Sequence, residues 1–284
     1  MRYRRTGVLH LALTDNEATH LRQRYDAQHA LAPENQWLDA ADVHAVEPDA
    51  SPRSVAALLS PREHYVDSAR LTEAFAAAAQ KHGATILTGT PVTRLLRAGP
   101  SLRGVRAGTI EYTADHVVLA GGPWTAAIAG RLDAYVPVRP VRGQMLSLAG
   151  PKQPLRHVIW GAHAYLVPRE DGQTFVGATV EEAGFRRRTT ASALQMLRRG
   201  AAGLVPALRD SALRRSWAGL RPATPDALPV MGLLPGWRNA WVSTGHFRNG
   251  ILLAPISGKL VAQSILAGRP DASLAPFSPA RFAD

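Results

Sequence analysis

A short apolar strand that ends in two glycines limits most strongly what this chain can fold into. Residues 117–120 are Val-Val-Leu-Ala, and Gly121 and Gly122 follow at once. A continuous apolar run of this length is typical of a buried strand in a parallel sheet. Ligands of open α/β sheets bind at the carboxyl ends of such strands, where glycine lets them approach the backbone. The segment predicts a parallel strand, and both a ligand contact and a plain tight turn remain open at its end.

The same order of strand, turn and helix occurs near the C-terminus. Residues 240–244 are predicted to form a second buried strand that closes at Gly245, and residues 251–266 a helix that stops at Gly268. Pro255 is tolerated in that helix if it lies in the first turn. Two such units indicate a mixed α/β (α+β) fold.

Elsewhere, helix and strand patterns alternate along the chain. Three further helices are predicted, over residues 14–30 with Thr14 or Asp15 as N-cap, 68–82 with Asp67 or Ser68 as N-cap, and 191–204. The alanine run at 76–79 would allow the second of them to pack closely on a sheet. Further strands are predicted at 8–13 and 84–87, with a hairpin of 165–169 and 174–178 around Glu170-Asp171-Gly172.

The alternation predicts two domains woven from discontinuous segments. Residues 61–135 and 219–284 have α/β character, and a β-rich block at 136–218 separates them. A mixed block at 1–60 precedes the first α/β segment.

Composition excludes several classes of function. The chain has no cysteine, which excludes disulfides, thiolate metal sites and a cysteine nucleophile. All but three of its 33 basic residues are arginine, and the net charge is +11, which we attribute to compositional bias rather than to nucleic-acid binding. The run Arg186-Arg187-Arg188 is expected to be a solvated turn. No apolar run suggests a membrane span, so we expect a cytoplasmic protein.

Two arginines stand in unusual settings, whereas no histidine cluster predicts a metal site. Arg221 lies among apolar and proline residues, and Arg248 lies at a glycine-flanked turn between strand and helix. A poorly solvated guanidinium binds a planar anion such as a carboxylate, preferably in a bidentate manner. The bound carboxylate is either that of a ligand or that of an internal aspartate or glutamate.

Four segments resemble the D-amino-acid oxidase superfamily, and most closely the glycine oxidases of thiamine (thiazole) biosynthesis. They are residues 117–124, residues 140–146 (Pro-Val-Arg-Gly-Gln-Met-Leu), residues 217–222 (Trp-Ala-Gly-Leu-Arg-Pro) with Asp226 and 229–232, and residues 245–255, which begin Gly-His-Phe-Arg-Asn-Gly. They occur in the family's order through nearly the whole chain. The resemblance implies an FAD enzyme that oxidises a small amino acid such as glycine, with oxygen reoxidising the flavin. It assigns 1–60 and 136–218 to a β-rich substrate domain and 61–135 and 219–284 to a Rossmann-like FAD-binding domain.

The resemblance also implies roles for individual residues. Arg221 corresponds to the arginine that binds the substrate carboxylate, Tyr165 to the substrate-side tyrosine, His163 to a neighbouring pocket residue and Arg248 to an active-site arginine near the flavin. The residues implied to contact the cofactor are Val92, Ala120, Gly121, Trp124, His246, Asn249, Gly250, Ile251 and Leu252. Val180 stands where the glycine oxidases have a methionine at the pocket wall.

One family motif is missing from this sequence. No Gly-x-Gly-x-x-Gly occurs, although the family carries it in its first βαβ unit to bind the cofactor's pyrophosphate. We therefore expect roughly 80 N-terminal residues of the family pattern to be absent and FAD binding by this chain alone to be weak. Three explanations are open: a truncated or mis-started product, one half of a split enzyme with a separate nucleotide-binding chain, or a non-catalytic amino-acid-binding protein. The sequence leaves the oligomeric state open, and a homo-oligomer is possible.

Overall fold

The computed structural model describes residues 3–283, which form six α-helices and sixteen strands with short 3-10 turns between them. The helices are α1 (Asp15–Gln28), α2 (Ala40–Val46), α3 (Ser68–Lys81), α4 (Thr125–Ala129), α5 (Ala191–Leu204) and α6 (Gly250–Leu266). The strands are β1 (Tyr3–Arg4), β2 (Val8–Ala12), β3 (Gln36–Asp39), β4 (Ala56–Ser60), β5 (Tyr65–Val66), β6 (Val92–Ala98), β7 (Ser101–Ala107), β8 (Ile110–Thr113), β9 (Val117–Leu119), β10 (Arg139–Ala149), β11 (Val158–Trp160), β12 (Tyr165–Pro168), β13 (Gln173–Gly177), β14 (Leu213–Ala223), β15 (Val230–Leu233) and β16 (Ala240–Thr244).

The chain divides into two compact units made of discontinuous segments. Unit 1 contains residues 1–82, 143–180 and 187–219, and unit 2 contains 83–142, 181–186 and 220–284. Residues 61–82 belong to unit 1 by their contacts, because β5 pairs with β1 and Asp67 forms an ion pair with Arg169. Which unit holds substrate and which holds cofactor stays a prediction.

A large, mostly antiparallel sheet organises unit 1. Its strand order is β14-β10-β13-β12-β11-β2-β4-β3, and β11 pairs with β2 in parallel. The strand β4, which lies beside the edge strand β3, is buried at every residue, as its sequence Ala-Ala-Leu-Leu-Ser allows. One face of α5 packs on this sheet through Ala193, Leu197, Ala201 and Leu204, whose spacing of three or four residues defines a helical face.

Two three-stranded sheets form the core of unit 2. In one, β16 lies between β15, its antiparallel neighbour, and β9, its parallel neighbour. The other is the antiparallel meander β6-β7-β8. Leu102, Leu119, Val230 and Val242 belong to the shared apolar cluster of this unit. The predicted parallel pairing of the strand at Val117–Leu119 is therefore confirmed. Its predicted burial is wrong at Val118, which lies on the opposite face of the sheet from Leu119 and is 40% exposed.

Several other predictions from sequence agree with the structure. Thr14 caps α1 and Asp67 caps α3, each by accepting a backbone N–H. The hairpin of β12 and β13 turns at Gly172, which has a φ of +72°. The arginines at 186–188 are exposed, as expected for a solvated turn.

Three local predictions are wrong. Residues 84–87 form no strand, and Ile86 and Leu87 are exposed, because no described strand pairs with them. The alanine run of α3 packs on no sheet, since this helix has no buried residue. Pro255 lies beyond the first turn of α6, because the helix begins at Gly250 and follows directly on a 3-10 turn.

The segment Phe247–Leu266 is long and apolar enough to cross a membrane by length and composition, with a mean hydropathy of 1.2. Only 17% of this window is buried within the protein. A single helix of this kind is weak evidence for a membrane span.

Candidate active site

Two glycine turns lie side by side at the carboxyl ends of parallel strands in unit 2. Leu119 of β9 is paired with Val242 of β16, so the chain leaves both strands at the same sheet edge. The Thr244 hydroxyl donates a hydrogen bond to the carbonyl oxygen of Gly122 over 3.0 Å. The structure thus brings together two segments that the sequence singled out separately, residues 120–124 and 245–252.

Both turns contain a glycine in the left-handed region, and in the first turn it is Gly122, with a φ of +54°. Gly245 has a φ of +77°, and a Cβ there would lie 2.7 Å from the Thr224 Cγ2 atom. A Cβ on Gly121 would lie 2.9 Å from the Ile128 Cδ1 atom. Phe247 adopts a φ of 47° without being glycine, which costs on the order of 1–3 kcal/mol. Strain of this kind is found most often where a chain must present its backbone to a ligand.

The outer surface of these turns is apolar and open. Trp124 is 46% exposed and its ring packs against Phe185 with 5.5 Å between the centroids. Ile251 and Leu252 at the start of α6 are exposed, as are Ala120, Arg248 and Asn249, while Gly250 is half-buried. Among residues 3–283 no side chain forms an ion pair or hydrogen bond with Arg248, so the internal salt bridge considered for it is not formed. Exposed backbone beside apolar side chains suits a flat, largely apolar ring system.

His246 fixes the second turn to the helix that follows it. Its Nε2 atom lies 3.0 Å from the hydroxyl of Ser257, which is buried on α6. Burial lowers the pKa of His246 below its ordinary value, because the charged imidazolium loses hydration. At neutral pH this side chain is therefore a neutral hydrogen-bonding group rather than a cation.

Val92 is the remaining residue predicted to contact the cofactor. It is the first residue of β6, in the meander sheet of unit 2, and its side chain is 47% exposed.

Tyr165, the predicted substrate-side residue, lines a cavity of about 250 Å³ in unit 1. Its ring stacks on Trp160 with 4.7 Å between centroids, and its hydroxyl donates to the Met145 sulfur over 3.7 Å. Gly177 faces it across the sheet, and a Cβ there would lie 2.3 Å from the Tyr165 Cζ atom. The ring is thus held on three sides, which orients the phenol without a covalent constraint.

An ion pair lies at the wall of the same cavity. Asp67 binds Arg169, whose guanidinium also lies 4.7 Å from the ring centroid of Phe175 and 5.6 Å from that of Tyr65. The backbone N–H of Arg70 and the Arg169 side chain together lower the pKa of Asp67, so the carboxylate stays charged. Phe175 packs edge-on against Trp217, which completes an aromatic lining.

His163 and Tyr165 line different cavities. His163 is exposed and borders a cavity beside α5, together with Arg53 and Arg199. Arg221 is half-buried near the end of β14, and Val180 is 63% exposed. Asp226 has a structural role, because it forms an ion pair with Arg281 and accepts the backbone N–H of Leu228.

Sequence reasoning did not identify four residues of the Tyr165 cavity and its support. Asp67 was recognised only as a helix cap, while Trp160, Gly177 and Arg169 carried no local signal. Their roles arise from strand register, which places residues distant in sequence on one face of a sheet. The hairpin predicted around Gly172 was the one available clue, since it sets Tyr165 opposite Gly177.

The described residues fit part of an FAD molecule. The two glycine turns, with Trp124, Ile251 and Leu252, offer an open apolar surface and exposed backbone suited to a flavin ring. The sequence contains no glycine-rich pyrophosphate motif to complement them. Residues 3–283 contain no group of three or more histidine, aspartate or glutamate side chains placed to hold a metal ion.

Comparison with known proteins gives a consistent family match. The model of the FAD-dependent oxidoreductase family called DAO matches residues 1–264. A bifunctional protein ThiO/ThiG of Trichormus variabilis is 36% identical over 250 residues, which are 87% of this chain and 37% of that protein. The hydrogen cyanide synthase subunit HcnC of Pseudomonas aeruginosa is 31% identical over 285 residues, covering 99% of this chain and 68% of HcnC.

A solved structure shares the same fold. The crystal structure of glycine oxidase from Geobacillus kaustophilus superimposes with a TM-score of 0.91 and 31% identity, covering 98% of this chain and 75% of that one. The chain spans between about a third and a half of the length of the first curated relatives, from 37% of the bifunctional proteins to 52% of a glycine oxidase of Pseudomonas aeruginosa.

Proposed function

This chain belongs to the DAO family of FAD-dependent oxidoreductases, and from that membership we propose that it carries the substrate-binding and flavin-facing parts of an enzyme that oxidises a small amino acid. Glycine is the substrate we favour, with glyoxylate, ammonia and hydrogen peroxide as products from oxygen and water. Thiazole biosynthesis is the proposed context, and the cytoplasm the proposed location. The observation that carries the proposal is the junction of the two glycine turns through Thr244 and Gly122.

Bound FAD would accept the two electrons removed from the amine carbon and pass them to oxygen. The exposed turn at Ala120 and Gly121, with Trp124, is proposed to contact one part of the flavin. His246, Asn249, Gly250, Ile251 and Leu252 are proposed to contact another part, and Val92 the adenine end. The backbone N–H groups at the start of α6 would stabilise negative charge that develops nearby.

Arg221 is proposed to bind the substrate carboxylate. A planar guanidinium offers paired N–H donors that match the two oxygens of a carboxylate. Its half-buried position on β14 strengthens such a contact, because a partly desolvated ion pair is screened less than one at the surface. Arg248 is proposed to contribute a second positive charge near the reacting atoms.

Tyr165 is proposed to orient the substrate, since its ring is fixed by Trp160, Gly177 and Met145. Pre-fixed groups accelerate a reaction by reducing the entropy lost on reaching the reactive geometry. No general base is required if the amine arrives uncharged. His163 is kept as a pocket residue in the proposal, although it lines a different cavity from Tyr165. Val180, in place of methionine, leaves the size of the accepted side chain open.

A second candidate is amino-acid binding without oxidation. The observation in its favour is a built cavity at Tyr165 in a sequence that lacks the pyrophosphate motif. A separate nucleotide-binding chain would supply the missing pyrophosphate motif and would favour the oxidase over this second candidate.

The proposal is tested by measuring peroxide and ammonia release from glycine in the presence of FAD. The assay uses this chain and, in parallel, the longest polypeptide encoded by the same reading frame. Equimolar peroxide and ammonia from either protein support oxidation, provided that Arg221→Gln abolishes both. Glycine binding without peroxide in both proteins supports the binding-only candidate. If neither protein binds glycine and neither releases peroxide, both candidates are contradicted.

A further inference from the structure

An arginine-lined cavity lies on the meander sheet of unit 2. It encloses about 350 Å³ and is bordered by β6, β7 and the short 3-10 turn after α4. Its charged lining residues are Arg94, Arg97, Arg103, Arg106 and Arg131, and no acidic residue lines it. The Tyr165 cavity and the glycine turns share no lining residue with it.

Strand register forces two of these arginines to face each other. Arg94 of β6 is paired with Arg106 of β7, and Arg106 is paired in turn with Glu111 of β8. Like charges directly opposite each other on adjacent strands destabilise a sheet. Glu111 binds both Arg103 and Arg106, so one carboxylate serves two arginines and Arg94 adds a third positive charge.

Most of the hydrogen-bonding capacity of this cavity remains available. Arg97 binds Asp133, and Arg131 donates one N–H to the carbonyl of Thr93 over 3.0 Å. Five guanidinium groups therefore stand against two carboxylates, Glu111 and Asp133, which leaves an excess of three positive charges. Within residues 3–283 the Arg94 side chain has no hydrogen-bond or ion-pair partner.

The charge of Glu111 reflects this excess. A hydrogen bond from Arg106 is the strongest influence that lowers the pKa of Glu111, and the charges of Arg103, Arg106 and Arg94 act in the same direction. The carboxylate therefore stays ionised at neutral pH, and it is counted as one negative charge against the arginines.

We propose that this cavity is a binding site for a small diphosphate anion, distinct from the amine-oxidation site. A diphosphate carries two to three negative charges near neutral pH, which matches the excess of positive charge. Its oxygens accept paired N–H bonds from guanidinium groups, for which arginine is the best-suited side chain. A monovalent carboxylate would leave most of the excess charge unneutralised. The cavity volume also suits a small anion rather than an extended polymer.

The site is tested by calorimetric titration of the purified chain with inorganic pyrophosphate and, separately, with ADP. The titrations are made at low and at moderate sodium chloride, with acetate as the monovalent comparison. Arg94→Glu is the informative variant, because the side chain is exposed, has no described partner, and would face Arg106 with the opposite charge. Arg187→Glu makes the same charge change at an exposed arginine that does not line the cavity.

We expect saturable 1:1 binding of pyrophosphate that weakens as salt rises and exceeds acetate binding. Arg94→Glu should weaken it about ten-fold or more, with an unchanged circular dichroism spectrum and a urea midpoint no lower than that of the parent chain. Arg187→Glu should leave the affinity within about two-fold. Tighter binding of ADP than of pyrophosphate would identify a nucleotide as the source of the diphosphate, provided that Arg94→Glu weakens ADP binding as well, and equal binding would identify the free anion. Absence of saturable binding for both ligands, or equal loss in both variants, would overturn the proposal.

Discussion

The orientation of the Tyr165 ring depends on the lack of a side chain at Gly177. Gly177 lies opposite Tyr165 in the sheet, and the ring occupies the space that a Cβ would fill. Trp160 covers one face of the ring at stacking distance, and the Met145 sulfur accepts a hydrogen bond from the Tyr165 hydroxyl. A residue that sequence alone would not select thus determines where the predicted substrate-side phenol points.

Gly177→Ala is expected to destabilise the protein and to displace Tyr165. The added methyl group would lie 2.3 Å from the ring, and overpacking of this kind costs typically 1–3 kcal/mol. Urea unfolding followed by tryptophan fluorescence measures the change, and Trp160 should report the displaced ring.

Gly219→Ala is the matched control for this prediction. Gly219 also lies in a strand, β14, but a Cβ there meets no atom within 4 Å. Its free energy of unfolding should change by less than about 1 kcal/mol. Equal effects of the two substitutions would show that the contact with Tyr165 is not what makes Gly177 necessary.

His246 makes a pH-dependent contribution to the free energy of unfolding, and the sign of this contribution follows from the burial of the side chain. Its pKa in the folded protein lies below the ordinary value of 6.5, because burial disfavours the imidazolium. Below about pH 6.5 the unfolded chain therefore binds a proton that the folded protein does not, and stability falls as pH falls. This contribution is absent well above pH 6.5.

His246→Asn should flatten the dependence of stability on pH between about 7.5 and 5.5. One proton changes the slope by at most about 1.4 kcal/mol per pH unit. The free energies of unfolding of both proteins at these two pH values provide the measurement. An identical slope in the variant would mean that His246 titrates alike in the folded and unfolded states.

Among the secondary-structure elements, local sequence patterns succeeded where their cause is local. The helix Ala191–Leu204 and the strand Ala240–Thr244 occur with the predicted bounds, because apolar periodicity and the glycine that follows the strand are local signals. The strand predicted at residues 84–87 does not form, because a strand exists only if another strand pairs with it. The junction of the two glycine turns was likewise invisible, since it depends on the parallel pairing of β9 with β16.

Helix α6 has an exposed apolar surface with a testable consequence. Ile251, Leu252, Ile256 and Leu266 are between 44% and 88% exposed. Contiguous apolar surface of this kind promotes association in water. Leu252→Glu should reduce binding of the dye 8-anilinonaphthalene-1-sulfonate and should reduce concentration-dependent aggregation. The free energy of unfolding should fall by no more than about 0.5 kcal/mol.

Leu31→Glu is the control for that prediction, because Leu31 is 90% exposed but lies in the turn that follows α1 and not on α6. It should leave dye binding nearly unchanged. If Leu31→Glu reduced dye binding as strongly as Leu252→Glu, the dye would be reporting overall charge instead of the surface of α6.

As a whole molecule, the chain belongs to the DAO family and is built from two compact units of discontinuous segments. Ordered motifs in the sequence resembled an amino-acid oxidase, and the family model matches residues 1–264. The mixed α/β fold also agrees, with a TM-score of 0.91 to a glycine oxidase. The individual site residues could not be tested by motif order alone, because a role such as carboxylate binding by Arg221 requires a ligand to be observed.

Equilibrium dialysis with radiolabelled glycine tests the proposal that this chain carries the amino-acid-binding part of such an oxidase. We predict saturable binding that Arg221→Gln weakens by about ten-fold or more, since a charge-assisted bidentate contact is lost. Arg187→Gln, at an exposed arginine outside the site, should bind glycine like the parent chain. Absence of saturable binding in the parent chain, or equal affinity in Arg221→Gln, would contradict the claim.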